Sequence, residues 1–243
     1  MIYNIPLCEK NINIYYLFLL FKIMMNYIDQ IYVINLKHRK DRWRNCVKQF
    51  KKHNIRNYQR FDAVKVPFHK ITDAEKKNYH IQDENYICGQ HGCRISHLNA
   101  IKQAKHKKYK NVLILEDDFV FSSNFIQKLI QILTSIDNAS IEVNMLYLGF
   151  SIFMKHPYEN TSIPNLKKLK NGFTSHAYIV NEKYYDVLIS AIESNAYQID
   201  RIYVKLQKQI DMYGVYPCIV SQQVSFSDIM KREVNYSNMI HME

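Results

Sequence analysis

Glycine and proline are scarce in this 243-residue chain, which contains 5 residues of each. Collagen-like, low-complexity and disordered proteins are rich in one or both, so the composition argues against those classes. The hydrophobic content of 47% instead predicts a packed globular protein, with one large domain or two small ones.

Cysteine is also scarce, and the number of cysteines is odd. The five are Cys8, Cys46, Cys88, Cys93 and Cys218. Because they form no paired framework, we expect mostly reduced thiols, which favours the cytosol and leaves a secretory lumen open.

Long apolar runs are missing as well. The run at residues 12–21, INIYYLFLLF, is shorter than the roughly 20 residues that a membrane-spanning helix needs. Three interpretations stay open for residues 1–25: the apolar part of a signal sequence, a weak membrane anchor, or an extension upstream of a start at Met24 or Met25.

Acidic residues are in the minority. The 22 Asp and Glu against 33 Lys and Arg give a formal net charge of +11. Such an excess suits nucleic acid, an anionic membrane or a small polyanion such as a nucleotide, and equally a solvated basic surface. Charge alone does not separate these alternatives.

Strand and helix patterns alternate along the chain. The segments at 30–36 (QIYVINL) and 112–115 (VLIL) are typical of buried strands, and apolar residues recur at helical spacing over 94–108. Residues 65–86 lack a clear period and are interpreted as irregular, and 156–172 as a mobile loop. The alternation predicts an α/β fold with a mostly parallel central sheet flanked by helices. Ligands of such sheets bind beyond the carboxyl ends of the strands.

Three adjacent carboxylates, Glu116, Asp117 and Asp118, follow the strand in NVLILEDDFVF (111–121). They repel one another unless a positive charge lies among them. Mn²⁺ or Mg²⁺ would supply it, because both prefer carboxylate oxygen. The alternative is an acidic turn in which an aspartate caps the next helix.

The stretch GQHGCRISH (89–97) offers two glycines, Gly89 and Gly92, before a predicted helix start. Glycine permits close backbone approach, and a helix start offers free N–H groups to a phosphate. Ser96 as a helix cap and His97 as a packed side chain are the alternative. A zinc site is a further interpretation, built on Cys88, His91, Cys93 and His97.

Asn35, Arg39 and Arg42 lie just beyond the first predicted strand, in INLKHRKDR (34–42). Arginines at such a strand end can reach a diphosphate through charge-assisted hydrogen bonds. Taken without its context, this stretch is equally typical of a solvated basic helix face.

Together these stretches resemble glycosyltransferase family 25, which contains lipopolysaccharide-type and collagen galactosyltransferases. The resemblance runs from about residue 32 to residue 229 in the family's order. It rests on VINLKHRKDR (33–42), RFDAV (60–64), GQHGCRISH (89–97), LILEDDFVF (113–121) and SHAYIVNEKYYDVL (175–188), with weaker support from QID (198–200) and PCIVSQQ and SDI (217–229).

The resemblance implies a GT-A-type nucleotide-sugar-binding fold and a set of site residues. Asp118 and Glu116 would hold Mn²⁺ or Mg²⁺ against the diphosphate of a UDP-sugar. Asp200, from the QID match, would be the general base, with a helix N-cap as its alternative role and Asp228 as the alternative base. The residues assigned to the donor are Asn35, Arg39, Arg42, Gly92, Ser96, His97 and Asp117.

Two positions depart from the family's pattern. Lys37 and His38 replace the usual acidic-basic pair after Asn-Leu, which affects the expected nucleotide contacts. Arg201 follows Asp200 where a second acid is common, which weakens the assignment of the base.

The implied activity is transfer of a hexose, galactose before glucose, with inversion of configuration. The donor would be a UDP-sugar and the acceptor a hydroxyl of a glycan or of a hydroxylysine-type protein site. We expect an apolar leader at 1–25, a transferase domain at 26–230 and a polar tail at 231–243. The expected location is cytoplasmic or membrane-associated, with weak membrane association through the leader.

The competing functional class is a basic nucleic-acid-binding module without catalysis. Its motif is KHKKYK (105–110), which interleaves an aromatic residue with phosphate-binding cations. This stretch ends a predicted helix just before a strand, however, where cations interact favourably with the helix dipole. We therefore expect no specific nucleic-acid partner.

Overall fold

An eight-stranded sheet organises the part of the chain that the structure describes. The structure is a computed structural model, and it describes residues 23–24, 26–152 and 155–235. The apolar run at 12–21 lies outside these residues. None of the described helices has the length and apolar character needed to cross a bilayer.

The described elements alternate between strand and helix for most of the chain. The strands are β1 (Gln30–Asn35), β2 (Gln59–Asp62), β3 (Asn111–Glu116), β4 (Phe119–Phe121), β5 (Met145–Tyr147), β6 (Tyr158–Asn160), β7 (Leu166–Leu169), β8 (Ala177–Asn181), β9 (Tyr213–Val215), β10 (Val220–Gln222), β11 (Ser225–Ser227) and β12 (Arg232–Val234). The α-helices are α1 (Lys40–Lys52), α2 (Asp73–Lys76), α3 (Glu84–His106), α4 (Phe125–Asn138), α5 (Tyr185–Glu193) and α6 (Ile199–Leu206).

The central sheet has the strand order β2-β1-β3-β8-β5-β9-β7-β6. Within the described sheet, β7 and β8 run against the direction of the other strands. The predicted α/β fold with a mostly parallel sheet flanked by helices is therefore confirmed.

Side chains of β3 show why the sheet is covered on both faces. Leu113 and Leu115 point into a core shared with α1 and α4. Val112 and Ile114 point into a second core shared with α3, α5 and α6. All four are fully buried, since alternate residues of a strand face opposite sides of its sheet. The result is a three-layer arrangement with the sheet in the middle.

Helix α3 begins at Glu84, ten residues before the predicted start at residue 94. The side chain of Asp83 caps it by accepting a hydrogen bond from Tyr86 N. Gly89 and Gly92 therefore lie inside the helix. The prediction was wrong because glycine lowers helix propensity by about 1 kcal/mol, which makes a glycine pair resemble a break.

Several short elements also differ from the prediction. The segment interpreted as a mobile loop, 156–172, contains the antiparallel hairpin β6–β7 at the sheet edge. The segment interpreted as irregular, 65–86, contains a 3₁₀ turn at Phe68–Lys70 and helix α2. Strand β4 pairs with β10, and β11 pairs with β12 in a separate hairpin.

The two expected domain boundaries stay predictions. Met24, just before the first boundary, is fully buried in the same core cluster as Ile28. The β11–β12 hairpin extends from Ser225 to Val234 and so crosses residue 230.

Candidate active site

A cavity of about 370 Å³ lies where β1 and β3 end. Its walls come from the ends of these strands, the 63–66 loop, the middle of α3, and the chain from 222 to 234. The two strands are parallel neighbours, so residues that follow them lie at one edge of the sheet. This is the edge at which α/β folds bind ligands.

The carboxylate of Asp117 is neutralised by its neighbours. Arg42 Nη1 donates to its Oδ1 at 2.5 Å, and Asn35 Nδ2 donates to its Oδ2 at 2.6 Å. Burial raises the pKa of Asp117, although Arg42 and Asn35 oppose the shift. Asp117 thus ties the end of β3 to β1 and α1.

Asp118 has weaker partners. Gln222 Nε2 lies 3.4 Å from each of its carboxylate oxygens, and Arg42 Nη1 lies 3.7 Å from Oδ2. Burial, together with the charges of Glu116 and Asp117, raises the pKa of Asp118 to about 7. A divalent cation would remove this penalty. Asp118 and Glu116 therefore fit a hard cation such as Mn²⁺ or Mg²⁺.

Glu116 lines the cavity wall, and its surroundings favour its charged form. Ser175 Oγ donates to its Oε1 at 2.8 Å, and His97 Nε2 lies 3.4 Å from the same oxygen. Burial would raise the pKa of Glu116, but His97 and Ser175 outweigh burial and lower it. The three acidic neighbours thus have three different environments.

Arg39 and Arg42 hold the β11–β12 hairpin. Arg39 donates to Asp41 and to Asp228, and Arg42 Nη2 donates to Ser225 Oγ at 3.0 Å and to Phe226 O at 2.8 Å. Charged partners raise the pKa of Arg42 despite its burial. Arg42 lines the cavity.

Gly92 and Ser96 lie on the cavity wall, but not at a helix start. The predicted phosphate site on free N–H groups at this point is wrong, because these residues are inside α3. Ser96 Oγ donates to Gly92 O at 2.6 Å and accepts from Val64 N at 2.8 Å. Ser96 thus links the 63–66 loop to α3, and Gly92 allows the loop to lie close against the helix.

His97 is fully buried. Its Nδ1 lies 2.8 Å from the hydroxyl of Tyr178, which lies 3.0 Å from that of Tyr203. The four-residue zinc site considered from the sequence does not assemble among the described residues, because His91 packs elsewhere, against Tyr79. Instead, Cys93 and His97 lie beside Glu116.

Asp200 lies in the first turn of α6, whose N-cap is Gln198. The N-cap alternative for Asp200 is therefore wrong. Its Oδ1 accepts a hydrogen bond from Arg201 N at 2.8 Å. Burial raises its pKa, and the charge of Glu116 adds to this. Asp228, the alternative base, lines the cavity.

Gln222, Ser175 and Ser225 were not singled out from the sequence. Gln222 and Ser175 contact Asp118 and Glu116, and Ser225 contacts Arg42. All three lie inside the ranges that carry the family resemblance, 175–188 and 217–229, which was the available signal.

Comparison with known proteins identifies the family of the chain. The profile of glycosyltransferase family 25 (LPS biosynthesis protein) matches residues 28–206. The chain belongs to this family, which confirms the resemblance seen in the sequence. The observed three-layer architecture with a mostly parallel sheet agrees with the α/β fold class expected from the sequence.

The individual relatives are distant. The chain is 26% identical over 152 residues to procollagen galactosyltransferase 2 of Mus musculus. This match covers 58% of this chain and 24% of the relative. It is also 28% identical over 129 residues to a glycosyltransferase 25 family member of Drosophila melanogaster. This match covers 50% of this chain and 21% of the relative. The chain thus spans less than a quarter of the length of these curated relatives.

Among solved structures, the chain is similar to A197 from STIV. The TM-score is 0.45 at 8% identity, covering 87% of this chain and 95% of the other. At this TM-score the likeness adds no argument, and the family assignment rests on the sequence match.

Proposed function

We propose that the chain is a metal-dependent, inverting hexosyltransferase. Its donor would be a UDP-sugar, with galactose preferred over glucose as the transferred hexose. Its acceptor would be a hydroxyl of a glycan or of a hydroxylysine-type protein site. Membership of a glycosyltransferase family and the acidic cavity at the strand ends support this proposal.

The observation that carries the proposal is the environment of Asp118. Its carboxylate is buried near Glu116 and Asp117, and Arg42 is its nearest cation but pairs more closely with Asp117. Asp118 and Glu116 would hold Mn²⁺ or Mg²⁺. The bound ion would supply positive charge to stabilise a diphosphate leaving group.

Cationic side chains of the cavity suit the same leaving group. Lys65 and Lys231 line it beside Arg42, and neither lysine forms an ion pair within the described ranges. Such groups bind phosphate oxygens through charge-assisted hydrogen bonds. The anionic donor would therefore contact lysines that have no competing carboxylate.

The proposed base is Asp200. It would take the proton of the acceptor hydroxyl while that oxygen bonds to the anomeric carbon and the bond from this carbon to UDP breaks. A raised pKa makes a carboxylate a stronger base, and burial raises that of Asp200. Asp228 is the alternative because it lines the cavity, although it pairs with Arg39.

Binding of UDP, measured by calorimetry, tests the cation site. Mn²⁺ should strengthen UDP binding to the parent protein. Asp118→Asn should weaken UDP binding in the presence of Mn²⁺ by at least about tenfold, since mutation of residues that only support the ligands of a metal site already has such an effect. Asp211→Asn is the matched control, because Asp211 is exposed and pairs with Lys168 away from the cavity. Equal Mn²⁺-dependent affinity in a folded Asp118→Asn protein would contradict the proposal.

A further inference from the structure

Helix α3 and strand β3 bring three different metal-binding side chains together. Cys93 and His97 are one helical turn apart on α3, and Glu116 ends β3. The Cys93 sulfur, a His97 ring nitrogen and a Glu116 oxygen all lie within 4.8 Å of one another. A small shift of side chains would place all three around one ion.

His97 is oriented as metal-binding histidines are. Its Nε2 is buried, has no hydrogen-bond partner among the described residues, and faces Glu116 Oε1 at 3.4 Å. Its other ring nitrogen, Nδ1, lies 2.8 Å from the Tyr178 hydroxyl. When a metal displaces the hydrogen that Nε2 directs at Glu116 and Nδ1 keeps its own hydrogen on the Tyr178 hydroxyl, the lone pair of Nε2 binds the metal.

The other partners are compatible with this tautomer. The Tyr178 hydroxyl can accept from His97 and donate to the Tyr203 hydroxyl 3.0 Å away. Ser175 Oγ holds Glu116 Oε1 at 2.8 Å. Such outer hydrogen bonds commonly fix the ligands of metal sites.

We propose that Cys93, His97 and Glu116 form a site for a thiolate-binding divalent cation, Zn²⁺ in particular. Three protein ligands with sulfur, nitrogen and oxygen donors leave a fourth tetrahedral position open. Cys93 and Glu116 both line the cavity, so the ion has access from solvent and its open position faces the cavity. Binding converts the Cys93 thiol to a thiolate and releases its proton to solvent.

The site differs from the proposed site for Mn²⁺ or Mg²⁺ in two ligands and shares Glu116 with it. Hard cations prefer oxygen donors, whereas sulfur and imidazole favour Zn²⁺. Zn²⁺ at Cys93 and His97 would draw Glu116 away from a cation on Asp118. Zinc therefore acts as an antagonist of the hard cation, although its own binding does not depend on the proposed transferase activity.

Zinc binding to the full chain, measured by competition with a chromophoric chelator, tests the site. The parent should bind one Zn²⁺, and Cys93→Ser should weaken binding at least about 100-fold, because a hydroxyl is a poor zinc ligand. Cys88→Ser is the matched control, since Cys88 lines the same cavity from the same helix but is outside the cluster. It should bind zinc like the parent.

Co²⁺ supplies a readout that needs no variant. Co²⁺ bound to the parent should show a thiolate-to-cobalt charge-transfer band, because Cys93 is a ligand. Absence of this band, absence of a single zinc equivalent, or equal zinc affinity in folded Cys93→Ser and parent would each overturn the site. The proposals fail separately, because Asp118→Asn should lose Mn²⁺-dependent UDP binding and keep zinc.

Discussion

Asp117 and Asp118 are sequence neighbours with opposite electrostatic situations. Asp117 receives hydrogen bonds at 2.5 and 2.6 Å from Arg42 and Asn35. Among the residues that the structure describes, the Asp118 carboxylate contacts Gln222 at 3.4 Å and Arg42 at 3.7 Å. The first carboxylate stabilises the join between β1, α1 and β3. The charged form of the second carboxylate is destabilised by burial and by the neighbouring acidic groups, which suits Asp118 for binding a cation.

The raised pKa of Asp118 predicts how stability changes with pH in the metal-free protein. Its pKa rises from 3.8 to about 7 on folding, so the folded state binds a proton more tightly than the unfolded state. Stability attributable to this group is therefore present below pH 4 and is lost as pH rises towards 7. Asp118→Asn removes the titration, so the variant should be more stable than the parent at pH 7.5 without metal.

Thermal unfolding at pH 4.5 and 7.5 in EDTA measures this effect. We expect Asp118→Asn to gain at least about 1 kcal/mol over the parent at pH 7.5, or roughly 2–4 °C for a chain of this size. The gain should shrink at pH 4.5, where the parent carboxyl is protonated. A variant that is no more stable than the parent at pH 7.5 would mean that Asp118 already has a sufficient counter-charge.

Substitutions of Asp200 and Asp228 show which of the two aspartates is the general base. A general base acts only on the acceptor, so Asp200→Asn should leave Mn²⁺-dependent UDP affinity nearly unchanged and lower transfer by roughly 10²–10⁴-fold. Asn keeps an oxygen that can accept from Arg201 N, so a structural role would survive the change. Transfer at the parental rate in Asp200→Asn, with loss in Asp228→Asn, would make Asp228 the base.

At the scale of elements, α3 contributes most to the cavity wall. Its backbone touches the 63–66 loop so closely that a Cβ on Gly92 would lie 2.5 Å from Val64 O. A Cβ on Gly89 would meet Ile229 less closely, at 3.0 Å from its Cγ1 and 3.2 Å from its Cα. The two glycines thus differ in how far the neighbouring chain would have to move to make room for a Cβ.

This difference predicts unequal effects of two identical substitutions. Gly92→Ala should destabilise the protein by more than about 2 kcal/mol, since the backbone of the loop must move. Gly89→Ala should remain within about 1 kcal/mol of the parent, because the gain in helix propensity offsets the contact with Ile229. Urea unfolding of both variants measures this, and equal stability would contradict the close approach at Gly92.

Strands β1 and β3 were predictable because their local patterns suffice, whereas the glycines of α3 concealed the first ten residues of that helix. Strands β1 and β3 are dense in buried apolar residues, and α1 has an amphipathic period. The pairs β4–β10 and β11–β12 consist of three-residue strands, which are too short to show a period. Their pairing depends on tertiary contacts that no local pattern records.

In the candidate site, too, local patterns predicted some positions, whereas others depend on tertiary contacts. The position of Glu116 and Asp118 at a cavity followed from the end of a parallel strand. The contacts of Arg39 and Arg42 with Asp228 and Ser225 join residues more than 180 positions apart. The β11–β12 hairpin folds back over α1. The two arginines that were predicted to bind a diphosphate therefore also form hydrogen bonds to side chains of the hairpin.

Across the whole molecule, the basic residues lie in more than one environment. The KHKKYK stretch (105–110) contains the last two residues of α3 and the turn that leads to β3 at Asn111, and its Lys105 pairs with Asp186. Cations there interact with the carboxyl end of a helix. Lys65 and Lys231, in contrast, line the cavity beside Asp118.

The proposed transferase activity requires that this cavity turn over a UDP-sugar with the help of a cation on Asp118. The most direct measurement is UDP release from UDP-galactose and UDP-glucose, by parent and Asp118→Asn, with Mn²⁺ and with EDTA. We predict release by the parent with Mn²⁺, faster from UDP-galactose, and loss of release in EDTA and in Asp118→Asn. Equal release by the parent with Mn²⁺ and with EDTA, or by the parent and a folded Asp118→Asn protein, would contradict the claim.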